Sequence, residues 1–283
     1  MKNTSENENL LWPGAIGVFD SGVGGLSVLR AIRDLLPEED LVYVADSGHA
    51  PYGDKSEAFI RQRTVEVGRR MVARGARAIT VACNTATVTS VQELRNAVSV
   101  PVVAIEPAIK PAAAMTQCGV VGVLATSQTV RSPSVERLMQ LHGSGVEFVL
   151  QACPEWVEQV ERGELHTEVT LQVVRRDVQA LIDAQADVWV LGCTHFPFLN
   201  HALRQCAGPQ VRLLDPAQAV AQELARRLPP HKRVDSVAEG DDSAVILTRT
   251  GSTRFFSTGP LALATQVMSQ LWGEAVHVHA WHD

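Results

Sequence analysis

Two segments of this chain place a cysteine directly after an apolar run. Residues 79–82 lead into Cys83-Asn84-Thr85-Ala86-Thr87, and residues 188–191 lead through Gly192 into Cys193-Thr194-His195-Phe196-Pro197. Each has a small residue, a thiol and then hydrogen-bonding side chains, so the two read as copies of one strand-end loop. A thiol titrates near 8.5 and less when it caps a helix, so it can act as acid or base close to neutrality. One thiol would serve a nucleophile. Two on opposed loops suit the inversion of a stereocentre, where a base on one face removes a proton and an acid on the other returns one. Cys118, Cys153 and Cys206 lack such a context and read as small apolar residues.

A third loop, Asp20-Ser21-Gly22-Val23-Gly24-Gly25, follows the apolar residues 16–19 and opens a helix. Its glycines let the backbone approach a ligand, and the helix start offers free N–H groups to an anion. The spacing is not that of a dinucleotide fingerprint, and no Gly-Lys-Ser/Thr follows as in a P-loop. Asp20, at a strand end, is placed as a working carboxylate. The three loops contain neither arginine nor lysine. Ser21, Asn84, Thr85 and Thr194 are neutral donors suited to a small polar zwitterion. Of the four lysines, Lys2, Lys55, Lys110 and Lys232, none has a Schiff-base context, so no pyridoxal cofactor is expected. There is no CxxC pair, so no structural zinc is expected either.

Positioning such loops takes an α/β frame. Apolar runs at 15–19, 41–45, 78–82, 100–105, 120–125, 146–150, 188–191 and 211–214 are continuous rather than alternating, as in parallel strands covered on both faces. Helical patterns lie between them. Leu26, Leu29, Ile32, Leu35 and Leu36 form one stripe. Phe59, Val65, Val67 and Val72 mark a second helix, with Asp54 its expected cap and Glu57 three residues on. Ile105-Glu106-Pro107 and Leu214-Asp215-Pro216 both end a strand with an acid and a proline. They are read as crossings between two similar, pseudo-twofold related lobes, each a mostly parallel sheet flanked by helices, with the site between them. Residues 15–106 plus 216–283 make one lobe and 107–215 the other, after a disordered extension at 1–14. Ala244–Leu247 and Arg254–Phe256 are expected to pair antiparallel at an edge, ahead of a helix near 260–272 and after a turn at 239–242.

The 283 residues are 46% apolar and 20% charged, ample for buried cores. A formal charge of -6 argues against nucleic acid. No apolar run approaches the roughly 20 residues of a membrane helix, and Met1–Asn9 has no leader pattern. Five widely spaced cysteines are not a disulfide framework, which fits a cytoplasmic protein.

Four segments in this order resemble a known family: Gly17-Val-Phe-Asp-Ser-Gly-Val-Gly-Gly-Leu, Ala45-Asp-Ser with Pro51-Tyr-Gly, Ala82-Cys-Asn-Thr-Ala-Thr, and Leu191-Gly-Cys-Thr-His-Phe-Pro. They resemble bacterial glutamate racemases, of the cofactor-independent aspartate/glutamate racemase superfamily, over nearly the whole chain. The resemblance implies that Cys83 acts on D-glutamate and Cys193 on L-glutamate, with Asp20 assisting the first thiol and His195 the second. It implies that Glu161, in Trp156-Val-Glu-Gln-Val-Glu-Arg-Gly, assists as well. Substrate contacts would come from Asp20, Ser21, Tyr52, Gly53, Asn84, Thr85, Thr126, Thr194 and His195. D-Glutamate for peptidoglycan is the implied product, and a homodimer is compatible with it. Aspartate-directed relatives tend to carry Cys-Thr-Glu where this chain has Cys-Thr-His. A cysteine-dependent decarboxylase or hydrolase needs only one thiol, and a binding protein needs none.

Overall fold

The computed structural model describes residues 12–229 and 250–282. The strands are β1 (Ile16–Asp20), β2 (Leu41–Ala45), β3 (Ala78–Val81), β4 (Val102–Ala104), β5 (Val120–Ala125), β6 (Glu147–Ala152), β7 (Val188–Gly192), β8 (Arg212–Leu214), β9 (Thr253–Ser257) and β10 (Val278–Ala280). They form two sheets, ordered β10-β9-β2-β1-β3-β4 and β6-β5-β7-β8, and every pairing is parallel. Helices cross between successive strands, as parallel connections require. The central strands β1, β2, β3 and β7 are buried at every residue, which is why they read as unbroken apolar runs.

The two sheets share a core order. Counting strands along each half, both run second, first, third, fourth. The order reverses between the first and third strands, and ligands bind at the carboxyl ends around such a switch point. In one half that point lies between β1 and β3, in the other between β5 and β7. The loops after those four strands carry Asp20-Ser21, Cys83, Thr126 and Cys193. After β8 the helix Ala217–Arg227 packs against Leu26–Leu35, returning the chain to the six-stranded half.

Several sequence expectations change. β9 pairs parallel with both β2 and β10 rather than forming an antiparallel edge; Ala244–Leu247 and the turn at 239–242 lie outside the described residues. Residues 12–14 belong to the fold and not to an extension. Trp12 is buried against Phe256 and Trp281, with ring centroids 5.1 and 6.2 Å away, and its backbone N–H donates to the Arg74 carbonyl at 3.0 Å. Leu35 ends up 42% exposed, because Val28 and Ala31 turn inward with Leu26, Leu29 and Ile32. The helix Glu57–Ala73 is capped by Ser56, whose Oγ accepts the Phe59 N–H at 3.3 Å, while Asp54 sits in a preceding 3₁₀ turn.

That helix buries Arg63 and Thr64 beside Ile60, Val67 and Met71. Arg63 donates to both oxygens of the fully buried Asp46, Nη2 to Oδ1 at 2.7 Å and Nε to Oδ2 at 3.0 Å. Asp46 also accepts from Tyr52 Oη at 2.6 Å and Thr258 Oγ1 at 2.9 Å, and His49 Nδ1 lies 2.9 Å away. Burial alone would raise the Asp46 carboxyl; the bonds from Arg63, Tyr52 and His49 outweigh it and hold the group below the usual range. Arg63→Met leaves that carboxylate uncompensated and should cost about 3–5 kcal/mol of stability in urea denaturation at neutral pH. Because the folded pKa is depressed, the wild type's advantage holds above the unfolded value of 3.8 and fades as pH falls below it. An equal gap between variant and wild type at pH 7 and pH 3 would contradict this assignment.

Candidate active site

Asp20 is the last residue of β1, and its chain turns sharply: Gly22 N–H donates to Asp20 Oδ1 at 2.8 Å. Cys83 caps the helix Asn84–Ala97, with Sγ accepting the Ala86 N–H at 3.4 Å. Ser21 Oγ lies 3.3 Å from both Asp20 Oδ1 and Cys83 Sγ, linking carboxylate to thiol. Cys193 follows β7 and opens onto a 3₁₀ turn at Phe196–Leu199. Its Sγ lies 3.6 Å from His195 Nδ1, and His195 Nε2 lies 2.6 Å from Glu161 Oε1. Glu161 ends the helix Pro154–Glu161, which Trp156 anchors in the core against Phe196. Each thiol thus heads its own hydrogen-bonded chain, a candidate proton relay, through Ser21 to Asp20 on one side and through His195 to Glu161 on the other.

The two relays cross the cleft. Thr194 Oγ1, from the four-stranded half, donates to Asp20 Oδ2 at 2.9 Å. Val23 N–H, from the six-stranded half, donates to Glu161 Oε1 at 2.7 Å. Thr85 and Thr126 meet across the same gap at 2.9 Å. The glycines of the first loop serve this closure. A Cβ on Gly22 would press into the Glu161 carboxylate, and one on Gly24 into the His195 ring. Sequence reasoning gave those glycines to a ligand; the structure gives them to side chains of the opposite half.

Cys83, Cys193, Ser21, Tyr52, Gly53, Asn84, Thr85, Thr126, Thr194 and His195 line one cavity. It is barely large enough for one water molecule, so in this arrangement it has no room for an amino acid. A roomier apolar cavity of about 220 Å³ opens behind Glu161, lined by Val23, Pro51, Val157 and Val267 among others. It contains neither thiol, so size does not choose the site here. Asn84 is 2% exposed, and neither atom of its amide has a hydrogen-bond partner. A buried unpaired amide is costly, and this one lines the cavity with one group to donate and one to accept. The Tyr52 hydroxyl is held by Asp46, leaving its ring and backbone to form the wall.

Charge separates the two thiols. Burial, with Asp20 next, pushes the Cys83 thiol up to about 12, against the pull of the Ser21 and Ala86 bonds. A helix start alone would have lowered it; desolvation wins. Burial also raises Asp20. Burial would lower His195, but its bonds to Cys193 and Glu161 outweigh that and raise it well above the usual imidazole range. Cys83 is thus biased toward its thiol form and His195 toward imidazolium. Sequence reasoning missed Ser47 and the Val23 N–H, which both reach Glu161. The Ala45-Asp46-Ser47 segment hinted at the first, and a backbone donor leaves no mark on residue type. Among the described residues no three His, Cys, Asp or Glu side chains are placed to hold a metal, and no helix is long and apolar enough to cross a membrane.

A family profile described as Asp/Glu/Hydantoin racemase matches residues 16–224. The chain is 47% identical to a glutamate racemase of Methylococcus capsulatus, over 91% of both chains. It is 43% identical to a glutamate racemase of Ectopseudomonas mendocina, over 94% of this chain and 97% of that one. The fold superposes on the crystal structure of Escherichia coli glutamate racemase in complex with L-glutamate and the activator UDP-MurNAc-ala. The TM-score is 0.80 at 33% identity, covering 95% of this chain and 98% of that one.

Proposed function

The chain belongs to the Asp/Glu/Hydantoin racemase family, and we propose that it interconverts L- and D-glutamate, with Cys83 and Cys193 working on opposite faces of the α-carbon. The observation that carries this reading is the placement of the thiols after the third strand of two sheets with the same strand order, facing one cavity. In the L-to-D direction the Cys193 thiolate takes the α-proton, and the electron pair moves into the substrate carboxylate. The Cys83 thiol then delivers its own proton to the other face. The reverse direction exchanges the roles. One proton leaves carbon and one returns, so no oxidant or cofactor is consumed.

The two hydrogen-bonded chains give the thiols different surroundings. His195, held by Glu161, stands beside Cys193, while burial and then Asp20 disfavour negative charge at Cys83. Asn84, Thr85, Thr194 and Ser21 hold the substrate's carboxylates and ammonium group, with Tyr52, Gly53 and Thr126 completing the wall. Residues 15–106 with 216–283 and residues 107–215 are the two lobes of this proposal, supported by the division of strands between the sheets. Two working thiols require a reducing compartment, so the proposed setting is the cytoplasm, with D-glutamate feeding peptidoglycan synthesis.

Deuterium wash-in tests the reading. In deuterated water, L- and D-glutamate supplied separately should each yield the other enantiomer carrying one solvent deuterium at the α-carbon. Binding without exchange would reduce the chain to an amino-acid receptor. Faster turnover of aspartate would move it to the sister activity that Cys-Thr-His argues against.

A further inference from the structure

Glu161 is held from two sides. Its Oε1 faces both His195 Nε2 at 2.6 Å and the Val23 N–H at 2.7 Å. Its Oε2 accepts from Ser47 Oγ at 3.3 Å. Val23 and Ser47 belong to the six-stranded half, whereas Glu161 and His195 belong to the other. Ser47 is not free to wander. It follows Asp46, whose carboxylate Arg63 grips with two bonds, and the next N–H, of Gly48, donates to Thr258 Oγ1 at 2.9 Å. A hydroxyl on so fixed a loop sets the plane of a carboxylate that would otherwise pivot about its shared Oε1.

We infer that Ser47 is a positioning residue for the Cys193 side of the reaction, orienting Glu161, and through it His195, only when the halves are closed. This rests on the racemase reading above. The Glu161–His195 pair is within one half, but its alignment is completed by donors from the other. Closure therefore does more than exclude water: it turns the imidazolium toward Cys193 at the moment the substrate is enclosed. The Asp20 relay has the matching device in Thr194, so each thiol's partner is set from across the cleft.

Enantiomers have equal free energies, so kcat/KM must be equal in the two directions for any variant. The test therefore needs a readout that distinguishes the faces. Ser47→Ala should lower kcat/KM about fivefold, the scale of one modest hydrogen bond. The primary deuterium isotope effect on kcat/KM should rise for α-deuterated L-glutamate, because proton removal by Cys193 becomes the harder step, and fall for α-deuterated D-glutamate. Ser47→Thr, which keeps the hydroxyl, should restore both. An unchanged kcat/KM, or a loss with both isotope effects unmoved, overturns the proposal. A wild type that shows no wash-in defeats the racemase reading itself; an active wild type with either of those results defeats only the role of Ser47.

Discussion

Cys83→Ala and Cys193→Ala are each expected to lower racemisation by about 10³-fold or more, a loss of the size that removing an acid or base produces. In the proposed mechanism the two thiols are not redundant, because they face the shared cavity from different halves of the molecule. With Cys83 gone, Cys193 can still remove the α-proton of L-glutamate, but nothing delivers one to the far face. Cys83→Ala should therefore retain slow solvent-deuterium exchange into L-glutamate with its configuration kept, and Cys193→Ala the same into D-glutamate. Such exchange separates a missing acid from a collapsed cavity, which would silence both. The fold should tolerate either change: each side chain is small, and although Cys83→Ala gives up the Sγ cap on the Ala86 N–H, losing a cap costs only about 1 kcal/mol. Near-normal racemisation by either variant would sink the two-thiol mechanism.

The parallel frame was legible because strands buried on both faces leave continuous apolar runs, as at 41–45 and 188–191. The thiols were legible because residues at strand ends are already sorted by the fold toward the ligand side. What stayed hidden depends on partners far along the chain. Arg63 and Thr64 look like a solvated helix face until Asp46, 17 residues before Arg63, is seen to meet the guanidinium in the interior. β9 carries no sign of its direction, which the strands beside it decide. Trp12 reads as part of a disordered extension because its partners, Phe256 and Trp281, lie near the other end of the chain. Asn84 stands out in the sequence by position alone; that its amide is buried and unpaired is visible only in the fold. The helix-start argument for Cys83 was sound locally and was overruled by desolvation, a property of everything packed around it.

Gly24→Ala is expected to lower kcat/KM by at least about 100-fold, the lower range for losing a positioned acid or base, although it adds one methyl group to a residue that touches no substrate in the proposed mechanism. Gly24 does not use a positive φ, so its backbone can accept alanine. In such positions the change usually steadies a protein slightly, through the unfolded chain. The obstacle lies across the cleft. The new Cβ would sit 2.7 Å from His195 Cγ, far inside contact distance, and still closer to Nδ1, the atom that faces Cys193. His195 is 2% exposed and tied to Glu161, so the ring cannot swing aside without breaking that bond or holding the halves apart. Either response separates the imidazolium from the thiol. Gly22→Ala supplies the internal comparison. Its Cβ would crowd the Glu161 carboxylate, but that group ends a flexible side chain that is 19% exposed and can yield. Its loss should therefore be several-fold smaller. Measuring kcat/KM for both variants alongside thermal melts checks the ordering. If Gly22→Ala proves the more damaging, or Gly24→Ala keeps wild-type rates, then His195 does not need its seat against the first loop, and closure does not set the Cys193 relay.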